Sequence, residues 1–243
     1  MSVILLDIEG TTTPITFVYD ELFPFARAQM VAYFQARAED NEMQPAIAQL
    51  RTEAEEEARA GHDAPQIPTD ASPAAIAEAA ATFALWQMDH DRKATGLKQV
   101  QGWIWRKGYE SGELRGVVYK DVPAAIDRWR AQGRRVAIYS SGSVDAQKLI
   151  FGYSTAGDLR PKLDAYFDTQ TGPKKEAQSY TQIANALKVA AADVVFCSDN
   201  VDELIAADAA GMQTRLVVRP GNAPVEDTRF QRVTTFDAEA FGF

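Results

Sequence analysis

The stretch that decides the fold of this chain is Val3-Ile4-Leu5-Leu6-Asp7-Ile8-Glu9-Gly10-Thr11-Thr12. An apolar run, typical of a buried strand, ends abruptly in two carboxylates, and a glycine and hydroxyl residues follow. Residues i and i+2 of an extended segment point the same way, so Asp7 and Glu9 can face one ligand, while Gly10 lets the backbone come close to it. Charged groups at the end of a buried strand are where α/β proteins carry out chemistry. One carboxylate can attack while the other moves a proton.

Length, composition and charge limit the possible functions. With 243 residues, of which 46% are hydrophobic and 24% charged, the chain is long enough for one large domain or for a core domain with an insertion. The formal net charge of -9 disfavours nucleic acid and anionic membrane surfaces as partners, because binding to phosphate backbones requires a basic face. We therefore expect a small-molecule ligand, and any phosphate that it carries must be neutralised locally.

Cysteine content and hydropathy bear on the cellular compartment. The chain has one cysteine, Cys197, which excludes an internal disulfide. No apolar stretch is long enough to span a bilayer, and the sequence enters a strand directly, without the pattern of a signal peptide. These features predict a cytoplasmic protein, which we expect to be a monomer. The two histidines, His62 and His90, are distant in sequence and argue against a zinc site.

The middle of the chain has the composition of helices. Between about residues 19 and 108 Ala, Glu, Gln and Arg dominate, and apolar residues recur at helical spacing. Ser72 before Pro73, and Ser143 farther along, are expected to be helix N-caps. The acidic run from Glu53 to Glu57 is expected to be a solvated helix face. We predict that residues 16–112 form a helical cap domain that excludes water and selects the substrate, inserted into a core domain of residues 1–15 and 113–243.

Downstream of about residue 116, strand-like and helical segments alternate. The strand-like segments are short apolar runs of the kind that a parallel sheet buries on both faces. Gly or Pro lies at the ends of the helical segments. The predicted strands cover residues 135–140, 165–168, 194–197 and 215–218. Together with the strand at residues 3–6, this alternation predicts an α/β fold built on a doubly wound parallel sheet.

Four segments that follow strands carry side chains suited to a phosphate site. They are Asp7 and Glu9, then Ser140 and Ser141, then Lys174, and finally Asp199. The carboxyl ends of the strands in a doubly wound sheet converge on one crevice, so these residues are expected to meet. Mg²⁺ needs only a couple of carboxylates besides water and phosphate oxygens, and Asp7 and Asp199 suit that role. Two carboxylates about 4 Å apart repel by roughly 4 kcal/mol at an effective dielectric near 20, so a cation would keep Asp7 ionised.

The same residues indicate a covalent route to phosphate ester hydrolysis. Asp7 is the candidate nucleophile, and its attack would form an aspartyl-phosphate and divide the reaction into two steps. Glu9 would protonate the leaving oxygen and later take the proton from the attacking water. Ser140, the backbone of Ser141 and Lys174 would hold the phosphoryl oxygens, with Lys174 acting as a point charge.

The order of these motifs resembles that of the haloacid dehalogenase superfamily of phosphohydrolases. The likeness rests on Asp-x-Glu-Gly-Thr at residues 7–11, a strand that ends in Ser140, the later Lys174, and Asp199 with an acidic residue four positions on at Glu203. The resemblance implies a Rossmann-like core with a small helical cap. Most phosphatases of the superfamily carry Asp at the second carboxylate, where this chain has Glu.

Within the superfamily, the chain resembles the enolase-phosphatase (acireductone synthase) family of methionine salvage. The likeness is carried by residues 7–12, 101–105 and 139–148 and extends over nearly the whole chain. It implies Mg²⁺-dependent enolisation of 2,3-diketo-5-methylthiopentyl-1-phosphate, followed by dephosphorylation to the acireductone. It also implies that Asp7, Glu9 and Asp199 are metal-site positions and that Ser140, Ser141 and Lys174 are substrate-binding positions.

Two assignments near the site have alternatives. Lys175 adjoins Lys174, and the position two residues after Gly172 favours Lys174 as the phosphate lysine. Asp202 and Glu203 occupy the first turn of a helix, where the helix dipole favours acids. We expect Asp202 to be structural and Glu203 to lie behind the ligands, so neither is assigned as a ligand itself.

Two other functions compete with the enolase-phosphatase hypothesis. The first is another capped hydrolase of the superfamily, namely a sugar-phosphate phosphatase, a phosphoglucomutase-like enzyme or a dehalogenase, and Glu9 and the segment 101–105 argue against it. The second is a non-enzymatic phosphoacceptor or ligand-binding module, because receiver domains share a parallel sheet and an acidic pocket. A receiver, however, does not need a helical insertion of this size.

Overall fold

The computed structural model describes residues 2–226 and 229–241 of the chain. The chain divides into two compact units, one of Met1–Tyr19 with Arg115–Phe243 and the other of Asp20–Leu114. The first unit carries all six strands among the described residues, and the second is built from helices. A π-helix, Phe17–Leu22, leads from the first unit into the second.

The sheet of the first unit is parallel throughout its described strands. The strands are β1 (Val3–Leu6), β2 (Arg135–Tyr139), β3 (Ala165–Phe167), β4 (Val194–Ser198), β5 (Gln213–Val217) and β6 (Arg232–Val233). Their order across the sheet is β3-β2-β1-β4-β5-β6, and every neighbouring pair is parallel. The strand order therefore reverses between β1 and β4, which is where doubly wound folds bind their ligands. The predicted fold class is confirmed, and β6 is a strand that the sequence analysis did not predict.

The helices alternate with the strands only in the second half of the chain. They are α1 (Phe23–Ala36), α2 (Gln44–Arg59), α3 (Pro73–Asp89), α4 (Thr95–Ser111), α5 (Val122–Ala131), α6 (Val144–Gly152), α7 (Ala177–Leu187), α8 (Val201–Ala209) and α9 (Ala238–Phe241). Short 3-10 helices cover Arg160–Lys162 and Ala191–Asp193. Within the described parts of the chain, no helix combines the length and the hydropathy that crossing a membrane requires.

Burial on both faces fixes the central strand β1. All four of its residues are completely buried, as expected for an unbroken apolar strand inside a parallel sheet. On one face, Val3 and Leu5 share a core cluster with Phe196 of β4, Tyr180 of α7 and Leu204 of α8. Because the strand is held from both faces and by both neighbouring strands, the residue that follows it has a defined position.

The second unit is an arrangement of four helices, α1 to α4. Helix α1 packs against α3 and α4, and α2 packs against the same two helices. Helix α3 begins as the sequence predicts, since the Ser72 hydroxyl accepts a hydrogen bond from the amide of Ala75 at 3.3 Å and Pro73 is its first residue. Trp105 of α4 is buried and its indole N–H donates to the carbonyl of Leu22 at 2.8 Å.

The expectation that residues 53–57 form a solvated face is wrong for Glu53. This side chain is 7% exposed, and its carboxylate accepts hydrogen bonds from the Gly96 amide at 2.8 Å and from the Gln87 amide group at 3.0 Å. Glu53 thereby caps the first turn of α4, whose own N-cap residue, Ala94, has no side-chain acceptor. Glu53 falls on the same helical face as the buried Leu50, so helical spacing outweighed charge at this position.

We predict that Glu53→Ala destabilises the protein by about 1–3 kcal/mol, because the substitution leaves buried donors of Gly96 and Gln87 unpaired. Glu55→Ala, on the exposed side of the same helix, is the matched control and should change the free energy of unfolding by no more than about 0.5 kcal/mol. Urea unfolding followed by circular dichroism measures both. Equal losses in the two variants would contradict the capping role.

Candidate functional site

Asp7 lies at the carboxyl end of β1, immediately beside β4. Its amide donates to the carbonyl of Cys197 at 2.9 Å, which extends the β1–β4 pairing by one residue. Its Oδ1 accepts from the amide of Ile8 and from Nζ of Lys174, both at 2.7 Å, and its Oδ2 accepts from the hydroxyl of Ser198 at 3.1 Å. Both carboxylate oxygens are thus held, and the carboxylate has a defined orientation in a nearly buried position.

Lys174 places a buried ammonium between two carboxylates. Its Nζ lies 2.7 Å from Oδ1 of Asp7 and 2.7 Å from Oε2 of Glu203. Burial by itself would lower the pKa of Lys174, but the charges of Asp7 and Glu203 outweigh that effect and raise the pKa above its usual value. The hydroxyl of Tyr180 in the core donates to the Lys174 carbonyl at 2.7 Å and anchors the backbone. Lys174 is therefore a fixed positive charge.

The neighbouring lysine points to a different place. Nζ of Lys175 pairs with Asp202 at 2.7 Å, and both side chains are more than half exposed. Of the two adjacent lysines, Lys174 contacts Asp7 and Lys175 lies at the surface.

Glu203 lies behind Lys174 and completes the network. Its Oε2 lies 2.9 Å from the hydroxyl of Ser198, which also contacts Asp7. Burial and the charge of Asp7 raise the pKa of Glu203, while the ammonium of Lys174 opposes that shift. Ser198 was not singled out from the sequence, and its place as the last residue of β4 is the signal that could have found it.

Asp199 follows β4 and adds a carboxylate on the same side. Burial, and next the negative charge of Asp7, raise the pKa of Asp199 to about 7, against the opposing charge of Lys174. Gly10 explains how the carboxylate can come so close to the loop after β1. This residue has φ of +66°, and a Cβ atom at that position would collide with Oδ2 of Asp199. The approach of the two segments thus depends on glycine.

Glu9 lies in the tight loop that connects β1 to the rest of the chain. The amides of Thr11, Thr12 and Thr13 all donate to the carbonyl of Ile8, at 2.8 to 3.2 Å. This winds the loop into a compact turn in which Glu9 is half-buried. The next residue, Gly10, borders the Asp199 carboxylate, so the loop that carries Glu9 lies beside Asp199.

Ser140 and Ser141 follow β2, which pairs with β1 on the side opposite to β4. Ser140 is buried, its amide donates to the carbonyl of Phe167 at 3.2 Å, and its hydroxyl accepts from the amide of Gly142 at 3.2 Å. Ser141 is half-exposed beside it. The Ser143 hydroxyl accepts from the amide of Ala146 at 3.3 Å and so caps α6, as the sequence predicts.

Two polar residues that the sequence analysis missed hold this serine loop. The amide group of Gln147 donates to the carbonyls of Gly142 and Phe167, both at 2.8 Å. Asp168 accepts a hydrogen bond from the amide of Val144 at 3.1 Å. Both residues tie the loop after β2 to the end of β3. Gln147 lies within the segment 139–148 that carries the family likeness, and Asp168 follows the predicted strand at residues 165–168, so these positions are the signals that could have suggested them.

The donor set fits a hard cation such as Mg²⁺. No three His, Cys, Asp or Glu side chains converge on one point anywhere in residues 2–226 or 229–241. The carboxylates of Asp7 and Asp199 do lie close enough for the charge of one to raise the pKa of the other. Two carboxylates with oxygen donors around them suit Mg²⁺, which keeps several waters and takes phosphate oxygens, whereas zinc prefers nitrogen and sulfur ligands.

The remaining candidates for chemistry are accounted for elsewhere. Cys197 is completely buried in β4, and burial raises the pKa of its thiol to about 12, so it stays protonated. In the helical unit, His62 contacts Glu57 at 2.6 Å and His90 stacks on the ring of Trp86.

Comparison with known proteins decides the family. A family model of haloacid dehalogenase-like hydrolases matches residues 1–211. The enolase-phosphatase E1 of Synechococcus elongatus is 50% identical to this chain, and the match covers 98% of the chain and 97% of its relative. The chain belongs to the enolase-phosphatase E1 family.

Further relatives agree with membership of the enolase-phosphatase E1 family. The enolase-phosphatase E1 of Xenopus tropicalis is 46% identical over 93% of this chain and 88% of its own length. The crystal structure of the UTR4 protein of Saccharomyces cerevisiae matches with a TM-score of 0.78 at 37% identity, covering 97% of this chain and 98% of that one. Membership identifies the chain as a phosphatase, which confirms the predicted family and enzyme class and argues against a non-enzymatic phosphoacceptor.

We predict that Gly10→Ala lowers phosphatase activity on p-nitrophenyl phosphate by about 100-fold, because the added methyl displaces the Asp199 carboxylate or the loop that carries Glu9. Gly133→Ala is the matched control. Gly133 also has a left-handed φ, of +75°, but a Cβ there would meet nothing within 4 Å, so the control carries the backbone strain without the collision. A comparable loss of activity in both variants would show that strain, and not the approach of Asp199, sets the effect.

Proposed function

We propose that this chain is a Mg²⁺-dependent enolase-phosphatase of methionine salvage. Its substrate would be 2,3-diketo-5-methylthiopentyl-1-phosphate, which it enolises and then dephosphorylates to the acireductone 1,2-dihydroxy-3-keto-5-methylthiopentene. The observation that carries the proposal is the buried contact between Asp7 and Lys174 beside Asp199, at the reversal of strand order, in a chain of this family.

Asp7 is the proposed nucleophile. Hydrogen bonds on both of its carboxylate oxygens hold it in one orientation, so attack needs little further ordering. One carboxylate oxygen bonds to phosphorus, the bond from phosphorus to the ester oxygen breaks, and an aspartyl-phosphate forms. Water then attacks phosphorus, the bond to Asp7 breaks, and inorganic phosphate leaves.

Glu9 is the proposed acid and base of both steps. It sits two residues beyond Asp7 in the tight turn, next to Gly10, which borders Asp199. Glu9 gives its proton to the leaving ester oxygen in the first step and takes one from the attacking water in the second. The proton balance is thus restored at the end of each cycle.

Lys174, Ser140 and Ser141 are the proposed phosphate-binding residues. The ammonium of Lys174 is held charged and would oppose the negative charge that spreads over the phosphoryl oxygens. Ser140 and Ser141 follow β2, next to β1, so their loop reaches the same end of the sheet as Asp7.

Asp7, Asp199 and Glu9 are the proposed positions of a Mg²⁺ site. When bound, the ion would neutralise carboxylate charge and allow an anionic phosphate to approach. Without such compensation, burial, and next the charge of Asp7, raise the pKa of Asp199, so the ionised form of this carboxylate is costly in the site.

We assign residues 16–112 as the cap that selects the organic part of the substrate, because the core residues recognise only phosphate and metal. The cytoplasmic location and the monomeric state expected from the sequence stay predictions.

The test of the function is to incubate the pure protein with the diketo phosphate and Mg²⁺, following ultraviolet absorbance of the enol together with phosphate release. We expect a transient enol absorbance that precedes phosphate, and loss of phosphate release in Asp7→Asn and in the presence of a chelator. Phosphate release without an enol would favour a general capped phosphatase, and unchanged turnover in Asp7→Asn would remove the nucleophile assignment.

The two adjacent lysines provide a second, internally controlled test. Lys174→Met should lower kcat on p-nitrophenyl phosphate by about 100-fold or more, because it removes the buried charge beside Asp7. Lys175→Met removes a surface charge paired with Asp202 and should leave kcat within about twofold. Steady-state kinetics, with melting temperatures to check folding, measure both. Equal kcat values in the two variants would contradict the assignment of Lys174.

A further inference from the structure

Asn222 contacts the loop that carries the proposed nucleophile from outside the predicted motifs. It follows β5, in the segment Arg219-Pro220-Gly221-Asn222, and its amide donates to the carbonyl of Arg219 at 3.1 Å to close a turn. Its side-chain Nδ2 donates to the carbonyl of Gly10 at 2.9 Å and to the carbonyl of Val217 at 3.3 Å. The side chain therefore links the end of β5 to the loop after β1.

These two contacts fix which way the side-chain amide faces. Both partners are carbonyl oxygens, which accept but cannot donate, so the NH₂ group must face them. The carbonyl oxygen of the amide, Oδ1, then faces the other way. It is buried, and it has no hydrogen-bond partner among the residues that the structure describes. A buried acceptor that lacks a donor is costly and calls for an explanation.

The position of Oδ1 explains why this buried acceptor lacks a partner within the protein. Oδ1 of Asn222 lies 2.8 Å from the point that a Cβ on Gly10 would occupy, and Oδ2 of the Asp199 carboxylate lies 2.3 Å from that same point. Two acceptor oxygens, from Asn222 and Asp199, thus flank the small space that glycine leaves open. When Asp199 is ionised, as a metal ligand must be, both oxygens are acceptors, so neither satisfies the other and a donor is needed between them.

We infer that Asn222 is a positioning residue for the Mg²⁺ site, with Oδ1 accepting a hydrogen bond from a water molecule in the hydration shell of the ion. Mg²⁺ keeps several of its waters when it binds to proteins, and these waters are strong donors. Residues that hold such outer groups tune metal affinity without ligating the metal. This inference rests on the proposed function, since it requires the ion to bind at Asp7 and Asp199.

A purely structural role gives a different expectation. If Asn222 served only to tie Gly10 to β5, both Asn222→Ala and Asn222→Asp would lose the Nδ2 donor and would weaken the site alike. If Oδ1 instead accepts a hydrogen bond from a water molecule of the ion, Asn222→Asp keeps an oxygen acceptor at that place and adds a favourable negative charge. Asn222→Ala removes the acceptor.

The experiment is calorimetric titration of the full chain with Mg²⁺ alone, without substrate. Asn185→Ala, which removes an exposed asparagine on α7, is the control and should leave the Kd unchanged. We expect Asn222→Ala to raise the Kd for Mg²⁺ by about 10- to 100-fold and Asn222→Asp to keep the Kd within about threefold of the parent or to lower it. Circular dichroism melting of each variant establishes that it is folded.

Two results would overturn the inference: a Kd in Asn222→Ala within about twofold of the parent, or an equal rise in Asn222→Ala and Asn222→Asp. Should Asn222→Ala fail to fold, Asn222→Asp still decides, because a large rise in its Kd contradicts the acceptor role. If the parent chain binds and uses Mg²⁺ but the variants do not differ from it, only this inference fails. If the parent chain binds no Mg²⁺, both the proposed cofactor and this inference are contradicted.

Discussion

The structure of the site depends on one buried ion pair, between Lys174 and Asp7. Removing an ammonium and a carboxylate from water costs several kcal/mol per ion, and this cost is recovered only if the geometry is good and further hydrogen bonds satisfy the remaining positions. Here Glu203 and Ser198 supply those contacts. Carboxylates still outnumber the ammonium at this point, and the pKa of Asp199 is raised, first by burial and next by the charge of Asp7. Such unrelieved charge is typical of sites built for a ligand and not for stability.

The sheet explains how residues far apart in sequence reach this ion pair. Asp7 and Asp199 are separated by almost the whole core unit, yet they follow β1 and β4, which pair in register from Val3 with Val194 to Leu6 with Cys197. The strand order reverses between these two strands, and doubly wound folds have their ligand crevice at such a point. The parallel sheet therefore leaves a crevice where the charges meet.

Predictions from the sequence were correct for features that residues close together in the chain determine. The alternation of apolar runs and helices predicted the parallel sheet, and Ser72 and Ser143 are N-caps because capping depends on a few adjacent residues. Sequence-based prediction was wrong at Glu53, where the charge indicated solvent but packing buried the side chain as a cap for another helix. It also missed Asn222, whose contact with Gly10 joins residues more than two hundred positions apart, since no local pattern reports such a contact.

By itself, the sequence determined the fold class, the family and the candidate site residues, because hydrophobic period and motif spacing are properties of the chain. These candidates are Asp7, Glu9, Ser140, Ser141, Lys174 and Asp199. Only the tertiary structure decided that Lys174, and not its neighbour, lies against Asp7, and that Gly10 leaves the space in which the Asp199 carboxylate and the Asn222 amide oxygen stand together. The physical reason is that distant segments exclude water from one another when they pack. This packing determines which groups are buried, and burial determines the strength of charge interactions and hydrogen bonds.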